Sequence, residues 1–361
     1  MPQMKKAHTS IILLLTVLAV LLTSCMGGAA STTTSWPGLS VYDDAAYLAY
    51  NQFVYAIDTK SGTELWRFPN EVDRNVSFYA APTMTTDGQL IIGGYDKVLY
   101  SLNPENGMKN WTFDQAADRY VGSALTTGEG IFAPNADYSL YAIDKDGKLK
   151  WSFTTEEALW AKPTSDPDCT CIYLPSMDHS LYSINAEDGS LVWRTDPLGG
   201  AIVGNPSLSP DNILYTGTFN NEVIAMNAEN GSNIWTQTAE NWVWAGPALD
   251  EEQVYASDLN GNFFALDKAS GKVNWQINLE SAITEPALIT SDALYVSTEN
   301  GILYSVNPDN SIRWTREVSG KLNAAPVLAG ESILVAVTDG EELIVAYDAN
   351  GNQQWTFAPE E

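Results

Sequence analysis

Eight times along this chain a strand-like run closes on Asp or Asn, turns through a short polar loop, and reaches a Trp. The copies are VYAIDTKSGTELW (54–66), LYSLNPENGMKNW (99–111), LYAIDKDGKLKW (140–151), LYSINAEDGSLVW (181–193), VIAMNAENGSNIW (223–235), FFALDKASGKVNW (263–275), LYSVNPDNSIRW (303–314) and IVAYDANGNQQW (344–355). Their tryptophans (Trp66, Trp111, Trp151, Trp193, Trp235, Trp275, Trp314 and Trp355) follow one another at intervals of 39 to 45 residues. A period near 40 with strand content indicates a propeller, in which small sheets stack side by side around an axis. No repeat shows a helical period, so the fold class is all-β, an eight-bladed propeller of four-stranded antiparallel blades.

The unit that ends at Trp275 shows the blade most clearly. Strands are predicted over 246–250, 252–258, 263–267 and 272–278, and Asn260-Gly261 supplies the positive φ angles of a tight hairpin turn. The Asp or Asn that closes each third strand can hydrogen-bond the turn backbone after it. Gly stands four residues before Trp in seven copies and Asn310 in the eighth, both tolerant of a left-handed backbone. Two positions before the Asp or Asn the residue is always small: Ala56, Ser101, Ala142, Ser183, Ala225, Ala265, Ser305 and Ala346. A large flat side chain and a conserved-size gap in every unit suggest that each indole packs into the gap of the neighbouring blade. The eight tryptophans are thus expected to be structural, docking blade on blade.

The pattern small-x-Asp/Asn-(x)-Gly-x-x-x-Trp resembles the tryptophan-docking motif of pyrroloquinoline-quinone-type β-propellers, over roughly Trp36 to Trp355. That resemblance implies eight four-stranded blades around an axis. It says less about function, because the same scaffold hosts dehydrogenases, assembly scaffolds and sensors. Ring closure is expected without strand exchange, residues 36–44 opening the first blade and the Trp355 strand ending the last.

Before the repeats, Lys5 and Lys6 precede Ile11–Leu22, an apolar run interrupted only by Thr16. Twelve residues are too few for a membrane-spanning helix, which needs about 20, and read as the hydrophobic part of a signal peptide. Leu22-Thr23-Ser24-Cys25 resembles a bacterial lipobox, which implies acylation of Cys25 and cleavage just before it; two or more acyl chains give lasting attachment. The expected organisation is a signal peptide at 1–24, a lipidated Cys and flexible tether at 25–35, and one propeller domain at 36–361. The chain is an expected extracytoplasmic lipoprotein, anchored to a membrane.

Charge excludes one class of partner. With 18 Lys and Arg against 45 Asp and Glu the net charge is −27, which repels phosphate backbones, so no nucleic acid partner is expected.

Little in the sequence carries catalytic chemistry. The resemblance allows a quinone-dependent oxidoreductase, but the calcium ligands, aromatic floor and catalytic Asp of such enzymes find no counterparts here. No catalytic residue, no metal and no cofactor is therefore expected, with pyrroloquinoline quinone and calcium as a lesser possibility. Cys169 and Cys171 read as a structural pair, bridged or free. His179 reads as a turn residue beside Asp178, and Asp144-Lys145-Asp146-Gly147 as a hairpin with only half a calcium-loop ligand set.

Recognition has better material. Segments leading into the inner strands should gather around one mouth of the axis, and they carry Tyr79, Tyr120, Trp160, Lys162, Trp242, Trp244, Glu285 and Asn323 as a candidate binding rim. Lipobox, tether and eight repeats together make the chain similar to BamB-like lipoproteins. That similarity implies a non-catalytic scaffold for outer-membrane protein assembly, whose partner is another envelope protein. A sensor propeller binding a small ligand or polysaccharide is the alternative, and a quinone-dependent oxidoreductase the third.

Overall fold

A computed structural model describes residues 36–168 and 170–359. Cys25, the signal and tether segments, and Cys169 with any bridge to Cys171 lie outside the described residues. All regular structure is β: thirty-two strands form eight separate four-stranded antiparallel sheets, each made of four consecutive strands. The blades run 38–68, 83–113, 125–154, 164–194, 207–238, 248–278, 288–317 and 327–357, numbered 1 to 8 below. In the blade ending at Trp275 the inner strand is only Ala248–Leu249, shorter than expected, while Gln253–Ser257, Asn262–Asp267 and Val273–Asn278 fall close to the expected spans.

Each third strand alternates between two cores, as a period of two requires. In blade 1, Tyr55 and Ile57 face blade 8 while Val54 and Ala56 face blade 2. Repeated around the ring, this divides the interior into eight wedge-shaped cores, each shared by two neighbouring blades. First strands of adjacent blades approach one another, including blade 8 with blade 1, so they form the innermost ring.

The docking of the tryptophans follows one rule with one exception. The indole Nε1 of Trp66 donates to the Pro104 carbonyl of the next blade at 2.8 Å. Trp111, Trp151, Trp193, Trp235 and Trp314 donate in the same way to Lys145, Ala186, Ala228, Lys268 and Ala349. Trp355 donates to Thr59 of blade 1 at 2.9 Å and so closes the ring without strand exchange. Every acceptor is the residue just after the Asp or Asn that ends a third strand. The turn glycine lies directly beneath the ring: a Cβ on Gly189 would stand 2.6 Å from Trp151, and one on Gly62 2.5 Å from Trp355. Glycine is therefore required twice over, for its positive φ and for its missing side chain.

The small residue on the third strand has a different job from the one expected. Ala56 pairs in register with Trp66 of its own blade on one side and with Tyr47 on the other. The Tyr47 and Trp66 rings close over it at 5.9 Å. Equivalent rows are Tyr173-Ser183-Trp193 and Tyr255-Ala265-Trp275. The gap thus admits the blade's own indole, and the neighbour contributes a glycine and a carbonyl. A β-bulge follows this residue in every blade, turning the outer strand so that the ring faces the next one.

Trp275 is the exception. Its buried Nε1 has no hydrogen-bond partner, and the turn it faces is the one with Asn310 in place of Gly. Asn310 adopts φ 68°, so the backbone conforms, but it carries a Cβ where the turn glycines of the other seams have none and where a Cβ would stand within 3 Å of the docking indole. Asn310→Gly should let Trp275 dock like the other seven. The expected gain is about 1 kcal/mol, read as a higher urea midpoint. Gly189→Ala should lose about 2–4 kcal/mol, from left-handed strain plus the clash with Trp151. A neutral or destabilising Asn310→Gly would refute this account of the seam.

Candidate functional site: an aromatic mouth on the propeller axis

Counting back from the first-strand residue that pairs with the second strand sorts each lead-in segment into rings. In blade 6 that residue is Ala248, opposite Tyr255, and in blade 7 it is Leu288, opposite Tyr295. Five positions back lies an anchor ring of Phe78, Tyr120, Leu159, Ile202, Val243, Ile283 and Leu322, all buried. Four positions back lies the mouth ring: Trp36, Tyr79, Val121, Trp160, Val203, Trp244, Thr284 and Asn323. Three positions back lies a throat of Pro37, Ala80, Gly122, Ala161, Gly204, Ala245, Glu285 and Ala324. The lead-in segments touch backbone to backbone, since a Cβ on Gly204 would lie 2.6 Å from the Gly246 nitrogen.

This order corrects two of the rim residues expected from sequence. Tyr120 belongs to the anchor ring and is 0% exposed; its hydroxyl lacks a partner and burial pushes its pKa upward. The lead-in of blade 3 has Ala124 where most blades have Pro, so the cue that placed Tyr120 was displaced by one residue. Asn323 does lie in the mouth ring but is 3% exposed. The others are accessible. Trp160 is half-buried, with its indole nitrogen unpartnered, and Tyr79 stacks on Tyr95 at 3.8 Å with Arg119 over the Tyr95 ring.

Trp242 and Trp244 join a contiguous aromatic shelf. Trp242 stacks flat on Phe219 at 4.6 Å and an interplanar angle of 9°. Phe219 meets Trp244 at 5.1 Å, and Trp244 meets Trp36 at 5.3 Å. Sequence reasoning missed Phe219 and Trp36 as members. Phe219 sits in the turn between second and third strands, and those turns share the mouth: the Phe219 amide donates to Ala201 in the lead-in of its own blade. Trp242 is 45% exposed, well above the ordinary burial of so large a ring.

Below the shelf, Glu285 is the one large side chain in a throat of Pro, Ala and Gly. It is half-buried, has no hydrogen-bond or ion-pair partner among the described residues, and burial pushes its carboxyl up to about 8. Lys162, one position deeper on blade 4, is also half-buried, and burial lowers its pKa.

The residues around the axis do not fit a quinone held by calcium. Calcium takes six to eight oxygen ligands, whereas the throat offers one carboxylate. Among the described residues no group of three or more acidic, His or Cys side chains converges. Asp144 is occupied by the Asp146 and Lys148 amides of its own hairpin. His179 sits in a turn at φ 72°, beside Asp178, which accepts from the Tyr182 hydroxyl. Asp96 and Asp137 bind Tyr100 and Tyr141 in the same way, so blades 2 to 4 share one turn design.

Comparison with known proteins agrees with this geometry. A family profile described as outer membrane protein assembly factor BamB matches residues 50–170, 177–290 and 279–361. The BamB of Moranella endobia is 27% identical over 244 residues, covering 61% of this chain and 60% of the relative. The tetrathionate hydrolase of Acidithiobacillus ferrooxidans is 24% identical over 229 residues, 51% of this chain and 46% of the relative. The matches thus span about half to three-fifths of these relatives. The crystal structure of BamB from Moraxella catarrhalis superposes with a TM-score of 0.71 at 16% identity, covering 85% of this chain and 92% of that one, a likeness of fold.

The throat carboxyl makes stability depend on pH. Its folded value of about 8 lies above the ordinary value of about 4.3 expected when unfolded. Between the two the folded state keeps a proton that the unfolded state has lost, so stability falls as pH rises through this window. Glu285→Gln removes that loss. The variant should exceed the parent by on the order of 1–3 kcal/mol above pH 8 and match it near pH 4, by urea unfolding at both. An equal difference at both pH values would contradict the assignment.

Proposed function

The chain belongs to the family described as outer membrane protein assembly factor BamB, and from that premise we propose that it is a non-catalytic scaffold of the bacterial envelope, docking another protein through its axial mouth. The aromatic shelf of Trp242, Phe219, Trp244 and Trp36 carries this reading, because four rings in contact, one of them 45% exposed, form a preorganised apolar surface on a rigid support. Aromatic residues already held by stacking lose little conformational freedom on binding, and such residues dominate the energetics of protein interfaces. The charge of −27 favours a basic partner surface and speeds encounter with it.

The docking experiment places a photo-crosslinking amino acid at Trp242 in the native membrane and, in parallel, tests Trp242→Ala. Crosslinks from position 242 to one envelope protein, and loss of that protein from purifications of Trp242→Ala, are expected. The variant should keep its unfolding free energy, from urea titration, to within about 1 kcal/mol. A matched variant at an exposed outer-strand residue, Leu65→Ala, should capture the partner normally. Undiminished capture by Trp242→Ala would overturn the proposal.

We further propose that acylation of Cys25 holds the propeller at a membrane. The lipobox-like Leu22-Thr23-Ser24-Cys25 and the apolar run before it support this. Cys25→Ser should move the protein from the membrane to the soluble fraction, since anchoring by acyl chains follows the apolar area they bury. Continued sedimentation with membranes would refute the anchor.

A further inference from the structure

The mouth is not symmetric. Trp36 belongs to blade 1 and Trp244 to blade 6, yet their rings meet at 5.3 Å. Blades 7 and 8 stand between them in the ring, so this contact spans the mouth on that side. The two mouth-ring residues of those blades, Thr284 and Asn323, are the only buried ones of the eight, at 8% and 3% exposure. Both are small, which leaves room for the indoles. Glu285 follows Thr284 directly, is the throat's single carboxylate, and has no hydrogen-bond or ion-pair partner among the described residues.

We propose that Trp36, Trp244 and Glu285 form a binding site for an organic cation, a guanidinium or alkylammonium group on an apolar stem. Two chemical facts carry this. Indole faces attract a cation lying within about 6 Å of the ring centroid, and the attraction grows as water is removed. A partly desolvated carboxylate with no partner is costly, and a cation supplies the missing charge and hydrogen bonds. The apolar stem matches the Trp36 and Trp244 ring edges and the Ala and Gly walls of the throat. An anion is disfavoured by Glu285, and a neutral ligand leaves that carboxylate unpaired. Such a cation comes either as a free amine or as a Lys or Arg side chain of a bound protein. The site shares Trp36 and Trp244 with the docking shelf, but its failure is distinguishable from failure of the scaffold reading, because probe binding is read on the purified protein and crosslinking at Trp242 in the membrane.

The test uses N-acetyl-arginine amide, cadaverine and a Gly-Gly-Arg-Gly-Gly peptide as probes, at a pH above the Glu285 titration. Binding is followed by tryptophan fluorescence and calorimetry on the whole protein. Saturable binding is expected, with N-acetyl-citrulline amide, the neutral isostere, at least tenfold weaker. Free probes binding as well as the peptide would indicate a small-molecule ligand, and peptide-selective binding a partner's side chain; either supports the site. Glu285→Gln and Trp244→Phe should each weaken binding at least tenfold and threefold respectively. Glu285→Gln is expected to be at least as stable as the parent, and its urea midpoint, measured alongside, separates loss of binding from unfolding. No saturable binding by any probe, equal binding of the citrulline isostere, or unchanged affinity in Glu285→Gln would overturn the proposal.

Discussion

An indole lying on a glycine, with its N–H aimed at the carbonyl just after the neighbouring third strand, holds this molecule in a ring. The interaction is cheap in sequence terms. It asks for a Trp, a Gly and a turn of suitable length, and its acceptor is backbone, so the acceptor residue is free to be Pro, Lys, Ala or Thr. Because the same contact recurs at seven of the eight junctions, closure between blades 8 and 1 is simply another copy. Many propellers need a strand exchanged across the seam, whereas here each sheet is contiguous in the chain. The interior is correspondingly distributed over eight shared wedges, and each blade depends on both neighbours for burial of its two faces.

Departures from the repeat concentrate in blade 7. Its third-to-fourth-strand turn carries Asn310, leaving the incoming Trp275 nitrogen unpartnered. Its lead-in segment carries Pro286 one position earlier than in its neighbours, which puts Glu285 among the Ala and Gly residues of the throat. These features cost stability locally: an unpaired buried donor is penalised by its lost hydration, and so is an unpaired carboxylate. The remaining seams absorb that cost. Breaks in local consistency are expected at functional sites, and these two fall in one blade next to the aromatic mouth.

The legibility of the sequence followed from how local each signal was. Blade number, strand order and the Trp-Gly spacing lie within single repeats, so they could be read directly. The gap at Ala56 and its equivalents was visible but assigned to the wrong blade, because its meaning lies in a row of three paired strands, Tyr47-Ala56-Trp66, that no linear spacing displays. At the mouth, one residue of displacement decides between core and rim. Tyr120 and Val121 differ by a single position, yet one anchors the core and the other faces the axis. Counting from proline failed where blade 3 lacks it, whereas counting from strand pairing succeeds. Phe219 escaped notice because a second-to-third turn and a lead-in segment, far apart as motifs, share one end of the ring.

The same division explains why kinship of fold says little here about chemistry. Docking uses backbone acceptors and turn glycines on each blade's flank, away from the axial mouth, so a family can keep every seam while replacing every mouth residue. One relative of similar identity is named for a hydrolase activity and another for protein assembly. What separates such functions must be the side chains on the axis. A quinone held by calcium demands several converging oxygen donors. This mouth holds indoles in contact over a throat of Pro, Ala and Gly with a single carboxylate. The other charged lead-in side chain of the candidate rim, Lys162, belongs to blade 4, three blades from Glu285 on blade 7. Recognition needs only the walls and the charge that are already there.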